Sequence, residues 1–104
     1  MSTTELKQQI KNSVITVDPT AQVILFGSRA RGDERINSDW DILVLSKNEK
    51  IEKQYETEIR HKLFELQLYS GEAISTFVYS NNEWNGKYAA TPFFENIKKE
   101  GVVL

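Results

Sequence analysis

The sequence predicts a small α/β domain of the α+β kind: a mixed β-sheet of three or more strands with helices packed mainly on one face. Three observations predict it. Two long segments carry apolar residues at helical spacing; three short runs are rich in β-branched and aromatic residues; and the order helix, strand, turn, strand, helix, strand, helix contains no internal repeat, low-complexity stretch or long linker. With 104 residues, 39% of them hydrophobic, the chain can build one core, so residues 1–104 are expected to form a single domain.

The first element runs from Thr3 to Val17, where Leu6, Ile10, Val14 and Val17 form one apolar stripe behind a Thr3 or Thr4 N-cap. Asp18-Pro19 ends it, because the proline disfavours helix in the residue before it. Ala21 to Phe26 is nearly continuous in apolar residues and closes on Gly27, the pattern of a strand covered on both faces. A polar turn from Gly27 to Ser38 leads to a second strand, in which Asp39, Trp40 and Asp41 precede Ile42 to Leu45. Lys50 to Leu68 is the longest helix, with Ile51, Tyr55, Ile59, Leu63 and Leu66 on one side, and Ser70-Gly71 closes it. Ala73 to Tyr79 reads as a third strand. Helices follow at Asn81 to Tyr88 and at Phe93 to Glu100, the latter behind the Thr91-Pro92 start signal. Val102 to Leu104 carries no deciding signal.

Composition removes several chemistries. Without cysteine there is no disulfide, thiolate metal site or cysteine nucleophile, and His61 alone cannot build a histidine metal site. A formal charge of −2 argues against a general nucleic-acid binder, so any such role would need a local basic patch. Met1 to Ile10 has no apolar run suited to a signal peptide or membrane span, and a soluble cytoplasmic protein is expected.

The chemistry concentrates between Gly27 and Asp41. Strand alternation puts Asp39 and Asp41 on the same side of the sheet. Two carboxylates at that spacing repel each other unless a cation lies between them, and magnesium, which takes oxygen ligands from one or two carboxylates together with substrate phosphates, suits the pair. Gly27, directly after a strand, allows a sharp turn and a close approach to a ligand. Ser28 offers a hydroxyl, residues 28–31 suit the first turn of a helix with amides facing an anion, and Arg29 and Arg31 add positive charge. The plainer readings are that the aspartates cap a turn or pair with Arg31 or Arg35, and that Arg29, Arg31 and Arg35 belong to a solvated loop. Trp40, Tyr79, Trp84, Phe93 and Phe94 read as core rather than as base-stacking surfaces, and Lys98 and Lys99 as complements to a helix dipole.

Gly27-Ser28-Arg29-Ala30-Arg31-Gly32 at the end of one strand, followed by Ser38-Asp39-Trp40-Asp41-Ile42-Leu43-Val44 opening the next, resembles the signature of the DNA polymerase beta-like nucleotidyltransferase superfamily. The layout resembles its minimal nucleotidyltransferase branch over residues 1–80, with the specific signature in residues 27–44. The resemblance implies that Gly27 and Ser28, with Arg31 beside them, hold the triphosphate, and that Asp39 and Asp41 ligate Mg2+ in a two-metal scheme and carry catalysis. The reaction implied is transfer of a nucleoside monophosphate from a nucleoside triphosphate, with ATP the expected donor, to a hydroxyl. Members of the family usually place a third carboxylate on the next strand; the matching position here is Ser75, and Glu72 lies an odd number of residues away, on the opposite face of a regular strand.

Such minimal modules resemble the antitoxin half of a two-component pair whose helical toxin, of the higher-eukaryote and prokaryote nucleotide-binding (HEPN) type, is modified on tyrosine. An antitoxin-like adenylyltransferase acting on a partner protein is therefore the leading expectation. A single domain of this size buries only roughly 65% of its unfolded surface, so a large acceptor must be held on an exposed face or by a partner. The alternative is a binding module with an impaired site that sequesters a helical partner, favoured by Ser75. A small-molecule transferase is a third reading, weakened by the lack of an acceptor domain.

Overall fold

The computed structural model describes residues 1–104. Its elements are α1 (Thr3–Val17), β1 (Gln22–Phe26), α2 (Ser28–Arg31), β2 (Trp40–Ser46), α3 (Lys53–Ser70), β3 (Ile74–Ser80), α4 (Asn81–Asn85), α5 (Pro92–Glu100) and β4 (Val102–Val103). The strands form one mixed sheet in the order β3-β2-β1-β4. β2 runs antiparallel to β1 and parallel to β3, and β4 pairs antiparallel with β1.

The local signals explain most boundaries. α1 is capped by Ser2, one residue before the expected threonines, whose side chain accepts from the Glu5 amide; it ends where Asp18 turns extended before Pro19. α3 closes on Gly71 in the left-handed region, and α5 opens with Thr91 capping the Phe94 amide and Pro92 in its first turn. α3 begins three residues later than its apolar stripe suggests: Ile51 lies outside the helix and still packs against the core. α4 stops at Asn85, before the expected Tyr88, because Gly86 leaves helical geometry. The undecided tail forms β4, which gives the sheet its fourth strand.

Alternation along β2 divides the interior into two layers. Trp40, Ile42 and Val44 face Leu6, Ile10 and Val14 of α1 and Ile59 and Leu63 of α3, forming the larger core. Leu43 and Leu45 face the other way, against Trp84 of α4 and Ile97 of α5, with Phe26 completing that cluster. The two long helices thus cover one face, and the short α4 and α5 cover much of the other with an aromatic group in which Trp84 meets Phe93 edge-on at 5.5 Å. Trp40 and Trp84 are both core residues, at 2% and 5% exposure. Asp18 ties α1 to α3: it accepts from the Tyr55 hydroxyl at 2.7 Å and from the Thr20 amide and hydroxyl at 3.0 and 2.7 Å.

Candidate active site

The site lies at the end of the sheet where β1 finishes and β2 begins. Phe26 pairs with Asp41, and Asp41 pairs on its other side with Ser75 of β3. Asp41 therefore continues the face that carries Leu43 and Leu45, beyond the last apolar side chain of that row, and the same alternation puts Asp39 on that face. Asp41 is half-buried and Asp39 exposed.

Burial, and then the charge of Asp39, raise the pKa of Asp41 above the ordinary carboxylate range; Arg31 acts in the opposite direction and Glu100 adds a smaller upward push. Neither aspartate has an ion pair with any basic side chain. This disposes of the reading in which they serve as partners of Arg31 or Arg35. Two oxygen-donor groups that repel each other at a strand end, neither in a direct ion pair with a basic side chain, fit a hard divalent ion whose remaining ligands come from water and substrate. No group of three or more potential ligands surrounds them, so the protein itself offers at most the aspartate pair.

Gly27 is fixed by two constraints at once. Its backbone has φ 76° and ψ −160°, a region open essentially to glycine, and a Cβ placed there would lie 2.2 Å from Asp41 Oδ2. The turn thus exists so that the chain can pass directly beside the carboxylate. Ser28 follows, half-buried, at the first position of α2, and the short helix ends at Gly32, also left-handed, with its amide on the Ser28 carbonyl at 3.0 Å. The structure therefore brings Gly27 against Asp41 and places Ser28 next in the chain.

The arginines divide their work. Arg29 packs its guanidinium 4.8 Å from the centre of the Trp40 ring and donates to the Ser38 carbonyl from Nε at 3.3 Å and Nη2 at 3.0 Å, with Glu72 at 3.5 Å. It braces α2 against the residue preceding Asp39 and pairs with Glu72 of the α3–β3 connection. The Trp40 indole beneath it is the one buried side-chain donor without a hydrogen-bond partner. Arg31 is exposed, and donates to Asp33 at 3.2 Å and to Glu100 at 3.0 Å. Ser75, beside Asp41 on β3, donates its hydroxyl to Asp39 Oδ2 at 3.1 Å.

Glu100 is the residue that the linear pattern did not single out. Its Oε1 accepts from the Gly27 amide at 3.2 Å while Oε2 accepts from Arg31. Nothing local in the sequence marks it, because it arrives from the far end of α5 across the second layer.

A mixed sheet with a glycine-serine elbow at one strand end and an aspartate pair opening the antiparallel neighbour defines a protein of the nucleotidyltransferase class. The chain belongs to the polymerase beta nucleotidyltransferase family, whose model matches residues 8–104. Among solved structures it is similar to a toxin-antitoxin crystallised with AMP-PNP (TM-score 0.67, 20% identity, covering 93% of this chain and 70% of that one). It is also similar to the toxin-antitoxin MntA-HpeT carrying a double aspartate-to-glutamate mutation (TM-score 0.65, 17% identity, 93% and 70% covered). A third similar structure is described as a nucleotidyltransferase from Sulfolobus solfataricus (TM-score 0.57, 22% identity, 95% and 76% covered). At these identities the likeness concerns the fold. No curated protein sequence matches the chain. No helix is long and apolar enough to cross a membrane.

Proposed function

We propose that this nucleotidyltransferase takes a nucleoside triphosphate, ATP being the expected donor, together with Mg2+, and transfers its nucleoside monophosphate to a hydroxyl on a helical partner protein of HEPN type. The single observation that carries the reading is the apposition of Gly27 to the carboxylate of Asp41, with Asp39 beside it in no ion pair. A dication supplies charge neutralisation at the α-phosphate and at the departing pyrophosphate. Asp39 and Asp41 are the side chains assigned to hold it, Gly27 and Ser28 to seat the triphosphate, and Arg31 to meet its charge. The AMP-PNP of one similar toxin-antitoxin and the aspartate mutant of the other are in keeping with this assignment, as properties of those proteins.

In the transfer the acceptor oxygen bonds to the α-phosphorus, the bond from that phosphorus to the bridging oxygen breaks, and pyrophosphate leaves with the bond's electron pair. The acceptor proton has no carboxylate waiting at Ser75, whose hydroxyl is itself a donor to Asp39. It passes to an aspartate or to water, so turnover is expected to be slow beside a family member with a third carboxylate. That same serine favours the second reading, a module with an impaired site that sequesters a helical partner without transfer.

The purified chain, incubated with Mg2+, α-labelled ATP and the product of a neighbouring gene, should label that partner on a hydroxyl-bearing side chain. Label that disappears with Asp39→Asn plus Asp41→Asn supports transfer. Nucleotide binding without any label leaves only the binding module, and absence of nucleotide binding overturns the transfer reading.

A further inference from the structure

We propose that Glu100 is a resident counter-anion of the triphosphate seat, holding the Gly27 amide and the Arg31 guanidinium until an incoming triphosphate displaces it. The inference rests on the nucleotide-binding reading above and deepens it. Both oxygens of the Glu100 carboxylate are engaged, one by each group, at 3.2 and 3.0 Å. These are two of the groups assigned to the phosphates, and a carboxylate offers them the same paired-oxygen, charge-assisted acceptor that a phosphate would.

The location argues that the contact is specific to the site. Glu100 is the last residue of α5, where an acid meets the negative end of the helix dipole and is disfavoured. Lys98 and Lys99, directly before it, are the residues suited to that position. What compensates Glu100 is Arg31 and the Gly27 amide. Its side chain is 20% exposed against 46% for Arg31, so the carboxylate is tucked under a guanidinium whose outer side faces solvent.

The helix end is anchored on both sides. The Gly101 amide donates to the Ile97 carbonyl at 2.7 Å, and β4 then pairs with β1, the Leu104 amide donating to the Val23 carbonyl at 2.9 Å. Release is therefore a rotation of the Glu100 side chain about an anchored backbone. A weakly charged anion gains too little to displace it, whereas a triphosphate carrying its dication offers Arg31 a stronger partner and spares the aspartates their mutual repulsion. Glu100 thus sets the affinity of the seat.

The test is calorimetric titration of the full chain, wild type and Glu100→Gln, with magnesium tripolyphosphate, magnesium ATP and adenosine. Thermal melts establish that both proteins are folded. The exchange removes a partly exposed ion pair, so tripolyphosphate and ATP should each bind about three- to fivefold more tightly, with adenosine unchanged. If Glu100 merely braces Arg31, affinity falls or stays the same in the folded variant, which overturns the proposal and leaves the nucleotide site standing. If neither protein binds a polyphosphate, the inference and the nucleotide reading fall together. Should Glu100→Gln not fold, Glu100→Asp, whose shorter reach also frees Arg31, replaces it in the same titrations with the same expected and contrary results.

Discussion

Replacing Gly27 by alanine separates the structural from the functional side of the elbow. The added methyl has two consequences, and they differ in kind. The backbone angles of φ 76° and ψ −160° fall where a Cβ is strained, at a cost of roughly 1–3 kcal/mol that no side-chain movement relieves. The contact with Asp41 Oδ2 at 2.2 Å is relieved by turning the carboxylate away, at little cost to stability but with loss of the geometry of the aspartate pair. At about 4–8 °C per kcal/mol for a domain of nearly this size, the first effect lowers the melting temperature by roughly 5–20 °C. The second lowers affinity for metal-nucleotide by more than about tenfold, measured below the melting transition. Circular-dichroism melts and nucleotide titrations on the same samples read the two effects separately. A Gly27→Ala protein that melts within a degree of the wild type, or binds magnesium ATP unchanged, would refute the reasoning that the elbow is built around Asp41.

Two further predictions follow from titration. The pKa of Asp41 is raised by burial and by Asp39, so the folded chain holds this proton more tightly than the unfolded chain, and stability from this group falls as pH rises through the folded pKa. Asp41→Asn should therefore stabilise the metal-free protein at neutral pH, by under about 1 kcal/mol once solvent screening is allowed for, with the difference vanishing only as pH falls below the unfolded value of about 3.9; melts in chelator from neutral pH to about pH 3 measure it. Asp18 has the opposite sign: burial alone would raise it, but hydrogen bonds from Tyr55 and Thr20 and the charge of Lys47 together lower it. Its contribution is present above the unfolded value of about 3.9 and is lost as pH falls through the folded pKa. Tyr55→Phe should cost about 1 kcal/mol at pH 7 and flatten the acid limb of the stability curve, which urea denaturation at pH 3 and pH 7 will check.

The sequence reveals the fold through features that act over a few residues. Period decides the two long helices, proline and glycine decide where they stop, and the apolar runs decide three strands. α1 spans the same residues in pattern and in structure. What escapes this logic depends on tertiary company. Val102 and Val103 are a strand only because β1 has a free edge beside them, and they are exposed enough that no buried pattern announces them. Ile51 belongs to the core without belonging to the helix, because a residue can pack on a neighbour from an extended segment.

The candidate site divides in the same way. Gly27, Ser28, Asp39 and Asp41 stand close in sequence, and β pairing brings Gly27 and Asp41 together, so their spacing is informative. Arg29 and Arg31 look equivalent in the sequence. Their different roles follow from which side of the turn each faces, Arg29 onto Trp40 and Ser38 and Arg31 toward Asp33 and Glu100. Glu100 has no sequence-local signal at all. An acid in the last turn of a helix, next to the lysines that belong there, is the only hint, and it becomes legible once a charge that contradicts the helix dipole is taken to imply a distant partner.

The most direct test of the account is a titration of Mn2+, as a spin-active substitute for Mg2+, into the protein with and without ATP, followed by electron paramagnetic resonance. Wild-type protein should bind the ion weakly alone and at least about tenfold more tightly with ATP, and Asp39→Asn plus Asp41→Asn should abolish that gain. Equal binding of manganese ATP by the double variant and the wild type would contradict the claim that these two carboxylates sit together to share a dication with a triphosphate.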